Sequence, residues 1–379
     1  MSIIYSISTT PSEMNAQIIF ANLKARPVRT TVSVLAVALE VVLIIIVAGL
    51  TEGMVTENGK RTAGMGAEIT VQPPNSGIFL ALSSNTMPVG LAPKLKKVSG
   101  VKAVAPIQLQ INSGEGVETV FGIDPKSFYA VTGGFEFRMG RLFQTPDEVV
   151  VDDVWAKSKS ANVGDMVELF GHKFRVTGIV QPGMGARIYL SMAGSSALSG
   201  LPDRVGIFFV KLSDGAMVKQ VMAEIRKILP GYTLRDVHEW ASLFTPSNIP
   251  GLSAFIRAVV LVAVSIGVLV IFLSVYTTIT ERTREIGILR SLGASKVFIV
   301  GLIFQETLTL CLTGVILGIG LSFLVRALLE SAFPTLPVYI TAEWTTRASI
   351  FAVLSGIIGS LYPAIKAASH DPVEALAYE

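Results

Sequence analysis

Apolar positions along the chain fall into four long runs and one mixed stretch. Residues 31–50 contain one charge, Glu40; residues 258–279 contain none; residues 297–325 contain only Glu306; residues 348–365 contain none. A helix rises 1.5 Å per residue, so about 20 residues span a bilayer's hydrocarbon core. The pattern predicts four transmembrane helices, at 31–50, 251–279, 297–325 and 348–365. The first run is longer than a signal-peptide core and follows thirty other residues, so an uncleaved anchor is expected.

Between the first two runs the pattern changes. Of the chain's 59 charged residues, 38 lie between positions 52 and 250. Short β-rich runs (Glu68–Val71, Val117–Gly122, Glu148–Val151, Met166–Leu169, Lys173–Val180, Ile207–Leu212) alternate with Gly, Pro, Asn and Asp breaks. Helical spacing marks Ala92–Val98 and Ala216–Leu229. An α+β domain over 51–250 is expected, with an inserted lobe at about 139–205 inside a lobe built from 67–138 and 206–236. The fold class is therefore an α-helical membrane protein, with four transmembrane helices and a large α+β extracytoplasmic domain inserted between helices 1 and 2.

Lysine and arginine near the run ends set the orientation. Lys24, Arg26 and Arg29 precede the first run, Arg282, Arg284, Arg290 and Lys296 separate the second from the third, and Lys366 follows the fourth. The rule predicts cytoplasmic segments at 1–30, 280–296 and 366–379, with 326–347 a short extracytoplasmic link. A bacterial-type cytoplasmic membrane with both termini inside is the expected location.

The composition narrows the chemistry. The chain has 379 residues, 51% hydrophobic and 16% charged, a net charge of +3 and a mean hydropathy of +0.59. Disorder is excluded by the hydrophobicity. A disulfide framework is excluded by a lone cysteine, Cys311, which also leaves no thiolate metal site. No basic run is long enough to predict nucleic acid as a partner. His172, His238 and His370 lack metalloprotease spacing, and Gly194–Gly200 lacks the spacing of a serine nucleophile elbow. Asp152-Asp153 reads as a helix cap, and Lys94, Lys96 and Lys97 as a solvated helix face. No catalytic and no metal-binding residues are expected. Gly59-Lys60 is followed by Arg61, and no phosphate-binding G-x-x-x-x-G-K-[ST] loop occurs.

The segment Glu281-Arg-Thr-Arg-Glu-Ile-Gly-Ile-Leu-Arg-Ser-Leu-Gly-Ala294 is predicted to form a short amphipathic helix. Ile286, Leu289 and Leu292 recur at i, i+3 and i+6 and are assigned to one apolar face, away from Glu281, Arg284 and Glu285. Gly293 is placed to stop the helix and Ser295 to cap the next. Such a helix either lies in the membrane interface or docks a soluble partner.

This segment resembles the loop after the second span in FtsX/MacB-type permeases of ABC transporters. Asn22-Leu-Lys-Ala-Arg-Pro-Val-Arg-Thr30 is similar to that family's entry into its first span. Val163-Gly-Asp165 with Phe174-Arg-Val-Thr-Gly-Ile179 is similar to its periplasmic core domain. Pro363-Ala-Ile-Lys-Ala-Ala368 with Asp371-Pro-Val-Glu-Ala-Leu376 is similar to its tail. The order of one span, an insert and three spans is the family's too.

The resemblance implies a permease without an ATPase of its own. ATP and Mg would be bound and hydrolysed by a separate ABC ATP-binding subunit, since thirty residues before the first span leave no room for one. Glu281, Arg282, Arg284, Glu285, Ile286, Gly287, Leu289, Arg290 and Gly293 would couple the two chains. With only Glu40 and Glu306 ionisable in the spans, a hydrated pathway is poorly furnished. That favours mechanotransmission, in which ATPase motion drives the outer domain to export a substrate or to extract lipoprotein or lipid. The alternative is a cell-division-like permease that activates a partner such as a wall hydrolase without transport. A homodimer or heterodimer of permeases, a periplasmic adaptor and membrane lipid are further implied partners.

Three features, a small-residue stripe and two carboxylates, carry two readings each. Gly314, Gly318 and Ser322 form a small-xxx-small stripe that suits either a dimer or another span of the same chain. Glu40 suits proton coupling or, in preference, an interhelical hydrogen bond. Glu306 suits a packing role or a contact with the coupling loop.

Overall fold

The computed structural model describes residues 27–76, 85–112, 118–249 and 251–369. The Asn22–Arg26 part of the entry motif, Val117, His370 and the 371–376 motif lie outside these. In chain order the elements begin with α1 (Pro27–Ala63), β1 (Ile69–Gln72), β2 (Met87–Pro88), α2 (Ala92–Lys96), β3 (Val101–Asn112) and β4 (Glu118–Ile123). Next come α3 (Pro125–Thr132), β5 (Phe137–Gly140), β6 (Glu148–Asp152), α4 (Asp153–Ser158), β7 (Met166–Leu169), β8 (His172–Val180) and β9 (Ile188–Ser191). Then follow α5 (Met192–Ser199), β10 (Arg204–Val205), β11 (Ile207–Leu212), α6 (Val218–Ile228), β12 (Thr233–Asp236) and α7 (Val237–Ser242). The chain continues with α8 (Leu252–Glu281), α9 (Thr283–Ser291), α10 (Lys296–Ala332) and α11 (Ala342–Ser369). Two compact units result. One holds residues up to 52, 250–329 and 338 onward; the other holds 53–249 and 330–337.

The first unit is helical. Four helices, α1, α8, α10 and α11, are long and apolar enough to cross a membrane. Each outruns its apolar stretch, because hydropathy marks only the lipid-facing part of a helix. Thus α1 continues through a polar turn-forming sequence to Ala63, where Lys60 and Arg61 complement its C-terminal dipole. Val37, Val41, Ile44 and Ile45 of α1 pack with Ile271 and Val275 of α8, Cys311 and Val315 of α10, and Ala348 and Ala352 of α11. Outward side chains such as Leu261, Ile316 and Ile358 are exposed, an arrangement that suits lipid as solvent.

The second unit is built on a ten-stranded mixed sheet in the order β12-β1-β11-β3-β4-β9-β6-β8-β5, with β7 paired to β8. Its middle strands are buried on both faces, which is why the first four residues of β11 read as a continuous apolar run rather than an alternating one. Ile207 and Phe209 enter the core under α3 and α7, while Phe208 and Val210 enter the opposite core under α2 and α6. The proposed lobes are joined by parallel pairing of β4 with β9, Val120 opposite Ile188. They share one sheet and part of one core: Phe143, Val150, Val180 and Tyr189 pack with Ile107, Phe121 and Phe209, while Val149, Trp155, Phe174 and Leu190 form a second cluster with Val120.

Strand β3 escapes sequence detection because Pro106 sits in its middle, where a ladder donor is lost. The register nonetheless holds, with Pro106 opposite Phe208. Asp152 caps α4, its carboxylate accepting from the Trp155 N–H at 2.7 Å. Lys94, Lys96 and Lys97 are exposed. At the start of β6, Glu148 accepts from Arg141 Nη2 at 2.8 Å and Nη1 at 3.1 Å, and from the Gln144 and Thr145 N–H groups. Arg141 foremost, with these backbone donors, holds the Glu148 carboxyl down to about 2.

Candidate functional site: the segment between the second and third long helices

Helix α8 ends at Glu281 because Arg282 leaves helical geometry, with φ −112° and ψ 16°. Helix α9 restarts at Thr283 and stops before Gly293, whose φ of +98° is the left-handed conformation glycine adopts without strain. The Ala294 N–H then donates to the Leu289 carbonyl at 3.0 Å, closing the helix end. Ser295 Oγ accepts from the Phe298 N–H at 3.2 Å and caps α10.

The apolar stripe expected from sequence is not the packed face. Ile286 packs into the helical core and Gly287 is buried, whereas Leu289 is 37% and Leu292 80% exposed. The reason is geometric. A spacing of three residues falls short of the 3.6-residue turn, so each step rotates about 60° backwards and Leu292 ends about 120° from Ile286. The open face carries Arg284, Glu285, Ile288 at 44% exposure, Leu289 and Leu292. It is an apolar patch edged by charge.

The inward side is pinned by polar contacts. Arg282 Nε donates to Glu285 Oε2 at 2.7 Å, and its Nη1 lies 3.6 Å from Glu306 Oε2 on α10. Arg29 Nη1 on α1 meets Glu281 Oε2 at 3.3 Å. Arg290 Nη1 donates to the Ala368 carbonyl on α11. The segment is thereby attached to all four long helices, since it is itself the continuation of α8.

Glu40 lies deeper and is 5% exposed. Its Oε2 accepts from Ser355 Oγ on α11 at 3.0 Å, while Oε1 has no hydrogen-bond partner among the described residues. Gly267 on α8 makes the room: a Cβ there would stand 2.0 Å from Glu40 Oε2. Three helices therefore meet at this carboxyl group. Ser355 and Gly267 are invisible as partners in the sequence, because each is ordinary for an apolar helix.

The small-residue stripe of α10 faces α1 of the same chain. A Cβ on Gly314 would stand 2.6 Å from Val37 Cβ, and one on Gly318 2.8 Å from the Ala38 carbonyl. Ser322 is fully buried and donates to the Gly318 carbonyl at 2.8 Å. No cluster of three or more metal-ligating side chains occurs among the described residues.

Comparison with known proteins follows the same two-part division. The FtsX-like permease C-terminal family matches residues 257–372, and the MacB-like periplasmic core domain family matches residues 30–228. The uncharacterized ABC transporter permease YknZ of Bacillus subtilis is 25% identical over 398 residues, covering 96% of this chain and 99% of YknZ. The macrolide export ATP-binding/permease protein MacB of Vibrio parahaemolyticus is 24% identical over 384 residues, covering 92% of this chain and 57% of MacB. The periplasmic region of MacB from Actinobacillus actinomycetemcomitans aligns with 50% of this chain and 97% of its own, at 20% identity and a TM-score of 0.37.

Proposed function

Because the chain belongs to the FtsX/MacB-type family of ABC transporter permeases and is a multi-pass membrane protein, we propose that it is the membrane subunit driven by a separate ATP-hydrolysing chain. The observation that carries this reading is the split character of α9. One side is anchored through Arg282, Arg290 and Ile286, and the other offers Arg284, Glu285, Ile288, Leu289 and Leu292. An apolar patch with a charged rim is the composition of a docking surface rather than of a solvated loop. The partner would bind ATP and Mg on the cytoplasmic side, where α9 and both termini lie.

Motion then passes by mechanotransmission. Three side-chain contacts and continuity with α8 make the 281–291 segment a lever on all four spans, and the spans hold too few polar groups to line a wet route. The work is export, or extraction of lipoprotein or lipid, carried out by the inserted domain. Two permease copies, identical or related, would pair with two ATPases, and a periplasmic adaptor would receive the substrate.

The test is affinity purification of the full chain from its native membrane in mild detergent, with mass spectrometry of what is retained. An ATP-binding subunit is expected with the unaltered chain and lost with Ile288→Asp or Leu292→Asp, both of which leave the anchored side intact. Absence of any nucleotide-binding protein from the unaltered sample would overturn the reading.

A further inference from the structure

The inserted unit contains a cleft of about 600 Å³ whose walls differ in chemistry. One wall is apolar: Met54 on α1, with Phe333, Leu336 and Pro337 from the 330–337 segment. The two backbones approach closely there, since a Cβ on Gly53 would stand 2.1 Å from the Pro337 carbonyl. The polar lining carries three cations, Arg61, Lys159 and Arg187, and two carboxylates, Glu57 and Glu118.

Most of these charges are already satisfied within the unit. Arg187 Nη1 pairs with the buried Asp152 carboxylate at 3.1 Å. Glu118 accepts from Asn112 at 2.9 Å and from the Trp155 indole at 2.8 Å, and Lys159 lies 3.8 Å from it. Arg61 is different. Its Nη2 donates to the Asn58 side-chain amide oxygen on the same helix, while its Nε–H is buried without a hydrogen-bond partner and no carboxylate lies within ion-pair distance, among the described residues. Glu57, one turn earlier, and the Arg187-paired Asp152 act on it only at longer range, and burial and the Arg187 charge oppose its charge. A half-buried guanidinium beside another cation, with its buried Nε–H unused, is unfavourable until an anion completes it. Guanidinium groups match the planar or tetrahedral oxyanions of carboxylate and phosphate.

We propose that this cleft binds a small amphiphilic anion, its oxyanion held by Arg61 beside Arg187 and its apolar part lying against Met54, Phe333 and Leu336. The site goes beyond the ATPase-coupled reading and stands whether or not that reading does, because it requires neither ATP nor a second chain. A phosphate-bearing membrane lipid and a soluble amphiphile present the same chemistry to these walls.

The experiment is isothermal titration calorimetry on the full chain in phosphatidylcholine nanodiscs, with octyl phosphate added below its micellar concentration and empty nanodiscs subtracted. Saturable binding is expected, falling at least tenfold in Arg61→Gln and several-fold from octyl to butyl phosphate. Leu336→Ser, in the connecting segment, is expected to weaken octyl phosphate and leave butyl phosphate unchanged, so the proposal remains testable if Arg61→Gln fails to fold. Repeating the titration with phosphatidylglycerol in the disc separates the sources. Loss of octyl phosphate binding identifies lipid as the occupant, and unchanged binding identifies a soluble amphiphile. No saturable heat with the unaltered chain, or equal affinity in a folded Arg61→Gln, overturns the proposal.

Discussion

Arg282 Nη1 stands 3.6 Å from Glu306 Oε2, joining the break after the second long helix to the flank of the third. Both side chains are largely buried, and the same guanidinium also holds Glu285. Arg282 therefore reads the position of α9 and α10 together. Removing one partner of a partly buried pair leaves the other unmatched and costs about 1–3 kcal/mol. Glu306→Gln is expected to keep the chain folded yet reduce the ATPase stimulation it confers by several-fold. The exchange Arg282→Glu with Glu306→Arg should recover part of that loss. Steady-state ATPase assays of the reconstituted complex would show it, and full activity in both single variants would remove this pair from the coupling route.

Glu40 offers a cleaner separation of two roles. A carboxyl that only accepts from Ser355 is replaced without much loss by Gln, which keeps an acceptor and the same shape. An interhelical hydrogen bond in a membrane contributes about 0.6–2 kcal/mol. Glu40→Gln should therefore retain activity and shift the melting temperature by only a few degrees, whereas Gly267→Leu, which drives a side chain into the carboxyl position, should abolish folded protein. Loss of transport in Glu40→Gln with unchanged melting would instead point to a titrating role.

Gly318→Leu tests the packing of the third helix on the first. The Ala38 carbonyl and Val41 Cβ both lie 2.8 Å from the added Cβ, and backbone cannot rotate aside. Overpacking of this kind costs about 1–3 kcal/mol or more. Thermal unfolding in detergent should fall markedly for the isolated chain, even when it is purified as a single copy. An effect confined to dimer formation would show that the stripe serves two copies instead.

The Glu148–Arg141 pair makes an acid-dependent contribution to the inserted unit. Because the folded carboxyl is held at about 2, below its usual 4.5, its stabilisation is fully present above the unfolded value and is lost as pH falls from about 4.5 toward 2. Glu148→Gln should lower the melting temperature at pH 6, with the difference shrinking below pH 4.5 and closing only as pH approaches about 2. A constant difference across that range would exclude the ionised pair as the cause.

Much of the architecture is legible along the chain because it depends on local composition. A run of twenty apolar residues has few ways to be satisfied other than by lipid, so the four long helices and the mixed insert between them follow from residue order alone. Gly293 and Ser295 declare the end of α9 and the start of α10 for the same reason: a left-handed residue and a side-chain cap act on their own neighbours. What spacing misjudged was the orientation of α9. Ile286, Leu289 and Leu292 drift around the helix, and only its attachment through Arg282 and Arg290 decides which side is hidden. Tertiary structure likewise decided that β3 tolerates Pro106, that β4 pairs with β9 and that Ser355 and Gly267 meet Glu40. These are encounters between segments distant in sequence, where each residue is unremarkable alone and acquires its role from the chain folded against it.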